Sequence, residues 1–346
     1  MQNYDVVVVG SGPSGLSAAF TCANLNLDVL VIEKFPIEKK HKICGGMISP
    51  MAEKYISEIF EREIPSRVMS SPKKVSIFMV SPSGKSGKIK GEKLINVERD
   101  NFDRWLLELI EKEGVHIQDR TTLTKIDENK ITVRRNGKEK IIKARYIIGA
   151  DGVFSLVRRN IAPEIKFKTI AIAQEFLKRE NIKNRFYMFF NKDFSPTYIY
   201  LVPKRDYLLF GNGILNRDMD LMQKSRLYVE KYLCLEFEVI GMEQWFIPRS
   251  KFLGKGDVLL VGDAAGLCNA FSGEGIRLAI KSGYLAGKAI YNAINLGKNA
   301  IDVYRNLMRE VIRYVDKTIR IHRNFLNMGN EDLEGLILEY VAPLIH

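Results

Sequence analysis

The sequence is poor in the side chains that hold metals and disulfides. It contains 4 Cys and 4 His among 346 residues, and Cys22, Cys44, Cys234 and Cys268 are scattered without a CxxC pair. Zinc and iron–sulfur sites need clustered ligands at short spacing. We therefore predict no metal site, and thiols that stay reduced.

The sequence also lacks an apolar run that would span a bilayer, which takes about 18 residues or more. Residues 6–9 are apolar, but they follow no basic segment and lead into a glycine turn, unlike a signal peptide. Repeats and low-complexity tracts are absent as well. We expect a cytoplasmic protein, and its length exceeds the usual size of one hydrophobic core, which predicts two closely joined domains.

Acidic side chains are in short supply. Lys and Arg number 53 against 41 Asp and Glu, which gives a formal net charge of +12. Such a surplus suits nucleic acid, an anionic membrane surface, an acidic substrate or simply a lysine-rich surface. No helix-turn-helix, zinc-finger or RNA-binding pattern is present, so we predict no nucleic-acid partner.

The most informative segment is the start of the chain. Residues 4–9 predict a buried parallel strand, residues 16–24 a helix, and residues 28–33 a second strand that ends in Glu33. Between the first strand and the helix lies Gly10-Ser11-Gly12-Pro13-Ser14-Gly15. A strand, a glycine loop, a helix and a second strand with a terminal acid form a dinucleotide-binding fingerprint.

Each part of this fingerprint has a physical reason. Gly10 permits a tight turn, Gly12 lets the backbone approach a pyrophosphate, and Gly15 lets the helix pack closely on the strand. The helix N-terminus turns free N–H groups and a partial positive charge toward the phosphates. Glu33 is placed to accept hydrogen bonds from a ribose diol, and its charge disfavours a 2′-phosphate.

Two later segments repeat the pattern of a strand that ends in glycine and an acid. Residues 146–152 end in Gly149-Ala150-Asp151-Gly152, and residues 257–266 contain Gly262-Asp263. Gly273-Glu274-Gly275-Ile276 then precedes an Ala- and Gly-rich helix. Each motif alone is compatible with an ordinary strand end or helix cap, but the ordered set indicates one shared ligand.

These motifs, in this order, resemble the para-hydroxybenzoate hydroxylase superfamily of flavoproteins. The resemblance implies FAD as the cofactor and an α/β fold. In that fold a Rossmann-like FAD-binding domain of the glutathione-reductase-2 type carries an inserted antiparallel β-sheet substrate domain and C-terminal helices. It also implies that Asp263 binds the ribityl chain, that the helix near Gly275 points at the flavin ring, and that Asp151 lies near the pyrophosphate.

The resemblance extends to the residues between these motifs. Residues 95–106 resemble the superfamily's Arg-x-x-Phe-Asp helix start, whose arginine, here Arg99, reaches the FAD phosphates. Leu123 lies where a backbone amide often meets the adenine. The candidate cofactor-binding residues are Gly10, Gly12, Pro13, Ser14, Gly15, Glu33, Lys34, Cys44, Gly45, Gly46, Arg99, Leu123, Asp151, Gly152, Gly262, Asp263, Gly273, Gly275 and Ile276.

Within that superfamily the sequence resembles the geranylgeranyl reductase family, and more narrowly its short bacterial branch of CbrA-type proteins. The matching stretches are residues 44–50, the Arg99 helix, residues 149–152 and residues 262–266. Two stretches depart from the family pattern near the expected substrate. The family's Tyr-x-Trp-x-Phe-Pro appears as Tyr198-Ile199-Tyr200-Leu201-Val202-Pro203, and its Asn-Pro appears as Asn269-Ala270.

Three side chains are candidates for contact with the reacting substrate, namely Cys44, Tyr198 and Tyr200. The glycines after Cys44 let the backbone pass close to a flat ring. An unperturbed thiol has a pKa of about 8.5 and is a weak proton donor, so Cys44 has either a chemical role or a packing role. The catalytic residues therefore stay open.

Alternating and β-rich runs at residues 74–80 and 170–213 predict an antiparallel sheet with one aromatic face. By resemblance this sheet forms the wall of a substrate cavity. Its aromatic residues are either cavity lining or ordinary core: Phe176, Tyr187, Phe189, Tyr198, Tyr200 and Phe210.

The predicted domains are discontinuous in sequence. We predict an FAD-binding domain from residues 1–70, 95–160 and 250–290, a substrate-binding sheet domain from residues 71–94 and 161–249, and a C-terminal helical segment from residues 291–346.

Residues 301–325 predict a helix that carries Arg305, Arg309, Arg313 and Lys317 four apart on one face. Such a face either docks on anionic headgroups at the inner surface of a membrane or is a solvated face of a packed helix.

Three functions fit these observations. The leading hypothesis is a reductase that saturates C=C bonds of a prenyl chain or another apolar substrate by flavin hydride transfer plus protonation. The alternatives are an aromatic or polyketide monooxygenase and a flavoprotein that binds at the membrane surface without turnover. No second nucleotide fold is visible, so the electron donor stays open between NAD(P)H, a ferredoxin and a quinol.

Overall fold

The computed structural model describes residues 2–214 and 219–341. The strands are β1 (Gln2–Val9), β2 (Val29–Ile32), β3 (Met47–Ile48), β4 (Met69–Val80), β5 (Ser86–Val97), β6 (His116–Gln118), β7 (Thr121–Asp127), β8 (Lys130–Arg135), β9 (Lys138–Gly149), β10 (Thr169–Lys178), β11 (Arg185–Phe189), β12 (Ile199–Pro203), β13 (Tyr207–Ile214), β14 (Val239–Pro248), β15 (Gly254–Lys255) and β16 (Val258–Leu260). The helices are α1 (Pro13–Asn24), α2 (Pro50–Phe60), α3 (Arg99–Lys112), α4 (Leu156–Ile161), α5 (Met219–Leu233), α6 (Ile276–Leu296), α7 (Ala300–Leu307), α8 (Arg309–Leu326) and α9 (Asn330–Val341).

The first sheet has the order β15-β16-β9-β1-β2-β6, and β7 and β8 extend it beside β9. Strand β1 pairs in parallel with both β2 and β9, and β16 pairs in parallel with β9. Residues 6–9 of β1 are buried, as expected for a central parallel strand. In this register Val9 lies opposite Gly149, and Gly149 lies opposite Leu260. The three glycine-and-acid motifs therefore leave the sheet at one edge.

The second sheet has the order β14-β10-β13-β12-β11-β4-β5-β3 and is antiparallel except for the parallel pair β11–β4. On one face Tyr187 and Phe189 pack with residues of α5, whereas on the other Phe186 and Met188 pack with residues of α8 and α9. This separation follows from the two-residue side-chain period of a strand.

The predicted fold class is confirmed: a Rossmann-like α/β unit carries a second, largely antiparallel sheet and C-terminal helices. The domain boundaries stay a prediction. Strand β3, from the segment assigned to the FAD-binding domain, pairs with β5 in the second sheet.

Helices α1 and α6 cross at a very short distance behind the first sheet. A methyl group on Gly283 of α6 would stand 2.1 Å from the Ser14 carbonyl oxygen of α1, and one on Gly287 would stand 2.9 Å from Thr21 Cβ. Glycine at these two positions is what permits the crossing. It fixes the N-termini of both helices relative to each other.

The helix predicted over residues 301–325 is two helices, because the chain breaks at Met308 between α7 and α8. Arg305, Arg309, Arg313 and Lys317 are exposed. The apolar side of these helices packs on the main core instead of facing outward. No helix in the described part of the chain combines the length and the apolar character that a membrane crossing requires.

Candidate functional site

A cavity of about 520 Å³ lies where the edge of the first sheet meets the second sheet. Its walls combine the glycine turns after β1 and β9, the segment 40–47, residues 270–276 and one face of the second sheet. Its volume is in the range of small-molecule and cofactor sites.

The first glycine turn builds one end of the cavity. Gly10 has φ +105°, and a methyl group on it would stand 2.5 Å from the Ala150 carbonyl oxygen. A methyl group on Gly15 would stand 2.0 Å from the Gly10 carbonyl oxygen. Gly12 is different, because it lines the cavity and a methyl group there meets no atom within 4 Å. Gly10 and Gly15 therefore serve the fold, and Gly12 leaves the cavity open.

Two helices begin at this cavity without a side-chain cap. Helix α1 follows Gly12 and helix α6 follows Gly275, and neither has an acidic residue in its first turn. Their first N–H groups and partial positive charges are left for a ligand.

The acids of the motifs are placed differently. Glu33 is buried and accepts hydrogen bonds from the Ser11 N–H at 3.0 Å, the Ser11 hydroxyl at 2.8 Å and the Phe35 N–H at 3.1 Å. Asp151 Oδ2 accepts from the Leu156 and Val157 N–H groups at 2.6 and 3.1 Å, which holds the start of α4. Asp151 Oδ1 is buried without a partner among the described residues, and burial raises the pKa of this carboxyl.

Basic side chains from segment 40–47 and α3 cross the middle of the cavity. Arg99 donates to both oxygens of Asp103, at 2.8 and 3.3 Å, and Lys40 Nζ lies 3.6 Å from the same carboxylate. Burial opposes ionisation of Asp103, yet Arg99 and Lys40 hold its pKa below the usual value. Lys42 Nζ lies 3.4 Å from Asp263 Oδ2.

Lys42 also lies 4.1 Å from the centre of the Trp245 ring. Burial lowers the pKa of the Lys42 ammonium, and the Asp263 carboxylate opposes this shift. Segment 40–47 is thus attached to both α3 and the Gly-Asp turn.

The far arm of the cavity is apolar and lies on the second sheet. Tyr198 donates its hydroxyl hydrogen to the Ser272 carbonyl oxygen, and Tyr200 donates to Gln174 Oε1, both at 2.6 Å. The Tyr200 ring occupies the space above Gly211, where a methyl group would stand 2.0 Å from Tyr200 Cζ. The apolar lining includes Ile77, Leu94, Phe186, Met188 and Phe271.

Every candidate cofactor residue lines this cavity except Gly15 and Gly262, and so do Cys44, Tyr198 and Tyr200. A methyl group on Gly262 would stand 2.7 Å from Ser14 Oγ, so this glycine packs behind the cavity wall. Of the other aromatic residues singled out, Tyr187, Phe189 and Phe210 lie in the core on the opposite face of the second sheet.

No pattern in the sequence assigned Lys40, Lys42, Gln174 or Trp245 to the site. The basic run that contains both lysines was visible, but their carboxylate partners are distant in sequence. Phe186 and Met188 had a usable signal, since they alternate with Tyr187 and Phe189.

The chemistry of this cavity fits FAD. Two uncapped helix N-termini suit a pyrophosphate and an electron-rich ring, and Gly12 leaves room for close backbone approach. The unpartnered Asp151 Oδ1 and the carboxylates of Glu33 and Asp263 supply acceptors for hydroxyl groups. Within the described residues no group of three or more His, Cys, Asp or Glu is arranged to hold a metal ion.

Comparison with known proteins agrees with this assignment. A sequence profile of the FAD binding domain matches residues 3–178. The digeranylgeranylglycerophospholipid reductase of Methanocella arvoryzae is 31% identical over 99% of this chain and 94% of its own length. Protein CbrA of Escherichia coli is 28% identical over 82% of each chain.

Solved structures share the fold. A geranylgeranyl bacteriochlorophyll reductase-like protein from Thermoplasma acidophilum has a TM-score of 0.84 at 22% identity, over 97% of this chain and 91% of that protein. A probable FAD-dependent monooxygenase from Pseudomonas aeruginosa has a TM-score of 0.69 at 15% identity, over 96% and 97%. Likeness at these identities establishes the fold alone.

The fold and the matched domain thus define an FAD-dependent oxidoreductase, with FAD as its cofactor. More narrowly, the chain belongs to the geranylgeranyl reductase family. The predicted family and cofactor are confirmed.

Proposed function

We propose that this flavoprotein saturates carbon–carbon double bonds of a prenyl chain. The observation that carries the proposal is the apolar arm of the cavity, which joins the cofactor motifs directly to the face of the second sheet. An alkene has no polar group that a protein could hydrogen-bond. Its recognition therefore depends on the burial of apolar surface, which contributes about 0.8 kcal/mol of free energy per CH₂ group.

The two tyrosines of the arm support this reading. Each hydroxyl group already donates a hydrogen bond to a protein acceptor, and burial raises the pKa of both phenols. Because the hydroxyl groups are neutral and hydrogen-bonded to the protein, a substrate in the arm would contact the faces of the aromatic rings. Tyr198 and Tyr200 thus shape the arm and are poorly suited to donate the proton.

The cofactor would be held by the candidate residues that line the cavity. Gly12, Pro13 and Ser14 open the N-terminus of α1 toward a pyrophosphate, and Asp263 and Gly275 flank the start of α6. FAD, once reduced, would supply a hydride in this site. Segment 40–47, with Cys44, closes the cavity beside the apolar arm.

Anaerobic turnover tests the proposal. Reduced holoenzyme is incubated with geranylgeranyl diphosphate and with digeranylgeranylglycerophospholipid, and the products are analysed by mass spectrometry. We expect a gain of two hydrogens for each reduced double bond, with reoxidation of the flavin. Flavin that stays reduced with all prenyl substrates would contradict the proposal, and substrate-stimulated oxygen consumption in air would favour the monooxygenase alternative.

A pair of variants separates substrate binding from cofactor binding. Ile77→Trp fills the apolar arm and should lower prenyl turnover roughly tenfold or more, without loss of bound FAD. Ile141→Trp changes an exposed residue of β9 and serves as the control. Equal turnover in the two variants would show that the arm does not hold the substrate.

The electron donor belongs to the same proposal. The three candidates are NAD(P)H, a ferredoxin and a quinol, each of which would bleach the flavin absorbance under anaerobic conditions if it is the donor. Failure of all three would favour the non-turnover alternative.

A further inference from the structure

A second cavity of about 320 Å³ adjoins the first and is polar. Residues 41–44, Arg99 and Gln174 line both cavities and form the wall between them. Cys44 therefore stands between the apolar arm and a space with a charged lining. The charged residues found only on the polar side are Glu98, Asp100, Lys204, Arg205, Asp206 and Glu243.

Lys204 is the unusual member of this lining. Its side chain is only 2% exposed, and its ammonium donates to Asn96 Oδ1 at 2.7 Å and to the Val97 carbonyl oxygen at 2.9 Å. No carboxylate of the described residues lies within salt-bridge distance of it. The nearby Glu98 carboxylate instead accepts from Ser70 and Tyr207. A buried lysine without a paired acid is costly and rare, so it calls for a function.

The ammonium of Lys204 lies directly behind the turn that carries Cys44. A methyl group on Gly46 would stand 2.7 Å from Lys204 Nζ, and the Gly46 N–H group donates to Cys44 Sγ at 3.4 Å. Burial lowers the pKa of Lys204 to about 8, so this side chain exchanges protons close to neutral pH. The titratable and charged groups that interact with the pair are Lys42, Glu98, Arg99, Tyr200 and Cys268. Arg205 and Tyr207 line the polar cavity beside it.

We propose that the polar cavity is the proton entry of this reductase, and that Lys204 relays protons from it to Cys44. The inference rests on the proposed function, because saturation of an alkene consumes one proton in addition to the hydride. The hydride, with its two electrons, bonds to one alkene carbon, and the proton of the Cys44 thiol bonds to the other. The resulting thiolate takes a proton from the Lys204 ammonium. The neutral amine takes a proton from water in the polar cavity, and the hydroxide left behind exchanges with bulk solvent, so each reduction consumes one hydride and one solvent proton.

The thiol itself gives a test that needs neither substrate nor turnover. Cys22 is buried, Cys234 is exposed, and Cys268 lines the same cavity as Cys44. In a background with Cys234→Ser and Cys268→Ser, an alkylating reagent therefore reports on Cys44. The pH dependence of iodoacetamide alkylation is measured for apoprotein and holoprotein. Iodoacetamide reacts with the thiolate, and a nearby ammonium stabilises that anion. Lys204→Met should therefore slow alkylation near neutral pH roughly tenfold, and Lys204→Arg should restore it.

Lys192 offers a matched control. Burial also lowers its pKa to about 8, but its ammonium donates to the Pro196 and Phe325 carbonyl oxygens, outside both cavities. Lys192→Met should leave the alkylation profile of Cys44 unchanged. If Lys204→Met does not fold, Lys204→Gln, which keeps a hydrogen-bond donor without the charge, takes its place.

The pH profile of prenyl reduction gives the second readout. Activity should fall as pH rises through about 8, where Lys204 loses its proton. Lys204→Arg keeps the positive charge but does not release its proton, so it should restore alkylation of Cys44 without restoring prenyl reduction. Folded Lys204→Met or Lys204→Gln with an unchanged alkylation profile would overturn the relay. If the Lys204 variants change the alkylation profile of Cys44 but the wild-type enzyme reduces no prenyl substrate, the proposed function is refuted. The interaction between Lys204 and Cys44 would then still stand.

Discussion

Single glycines show how differently one residue type acts within the same turn. Gly15 is enclosed by the backbone of Gly10, whereas Gly12 faces open space in the cavity. The sequence motif does not distinguish the two glycines, but the structure separates a packing glycine from one that faces the cavity.

Gly12→Ala should leave the apoprotein as stable as wild type, because its methyl group meets no protein atom. It should raise the Kd for FAD by about tenfold or more, since the methyl group enters the space where a cofactor backbone contact would form. Thermal unfolding of the apoprotein and a flavin-fluorescence titration measure the two effects. Gly15→Ala, by contrast, should impair folding as well, and a wild-type Kd in Gly12→Ala would contradict the assignment.

His322 is a second residue whose role is visible only in the structure. It is fully buried in α8, and neither ring nitrogen has a partner among the described residues. Burial, with further contributions from Arg249 and Lys192, lowers its pKa from 6.5 to about 4. The folded protein therefore holds this side chain neutral where the unfolded chain would bind a proton.

This difference predicts that the free energy of unfolding falls as pH drops from about 6.5 to about 4, by at most about 3 kcal/mol from this group. His322→Leu should remove that part of the pH dependence and gain stability relative to wild type at the acidic end. Urea unfolding at several pH values measures it, with the exposed His116→Gln as the control. Parallel wild-type and His322→Leu curves would disprove the assignment.

At the scale of elements, the α1–α6 crossing places two helix N-termini at the cavity. Both helices point their N-termini into the cavity, and their separation is set where Gly283 meets the backbone of Ser14. The Ala- and Gly-rich character of α6 was visible in the sequence, but the partner helix was not.

Gly283→Ala tests this crossing. Alanine is the better helix former by about 1 kcal/mol, yet its methyl group would stand 2.1 Å from the Ser14 carbonyl oxygen and 2.9 Å from the Ala18 nitrogen. We expect a net loss of about 2 kcal/mol in unfolding free energy and weaker FAD binding. Gly335→Ala in α9, where a methyl group meets nothing within 4 Å, should be neutral or stabilising. A stabilised Gly283→Ala protein would show that the helices separate freely.

At the scale of the whole molecule, positive charge is the main surface property. The exposed stripe of Arg305, Arg309, Arg313 and Lys317 lies on two helices whose apolar side is already packed on the core. Contact with a membrane through this stripe would therefore be electrostatic, without insertion of an apolar helix face.

A vesicle experiment follows from that surface. Binding to vesicles with phosphatidylserine should exceed binding to neutral phosphatidylcholine vesicles and should weaken as salt is added. Replacing Arg309, Arg313 and Lys317 by Gln should reduce it several-fold, at about 1 kcal/mol per basic residue at the surface. The control replaces the exposed Lys130, Lys138 and Lys143 by Gln. Equal losses in the two triple variants would assign binding to net charge instead of the stripe.

Local patterns in the sequence mark more of the residues at the glycine-turn end of the cavity than at its apolar end. Gly10, Gly12 and Glu33 sit in one local unit whose order alone specifies the geometry. Lys42, Gln174 and Lys204 line one cavity but come from segments that are distant in sequence, so no local pattern marks them. The break at Met308 was likewise hidden, because the charge spacing continues through it.

The cavity takes its walls from chain positions between Val9 and Ala279. A growing polypeptide therefore has no complete cofactor pocket until α6 has left the ribosome, although β1 and α1 emerge first. We therefore expect flavin to bind only after α6 has been synthesised, and truncations that end before α6 should accumulate as colourless protein.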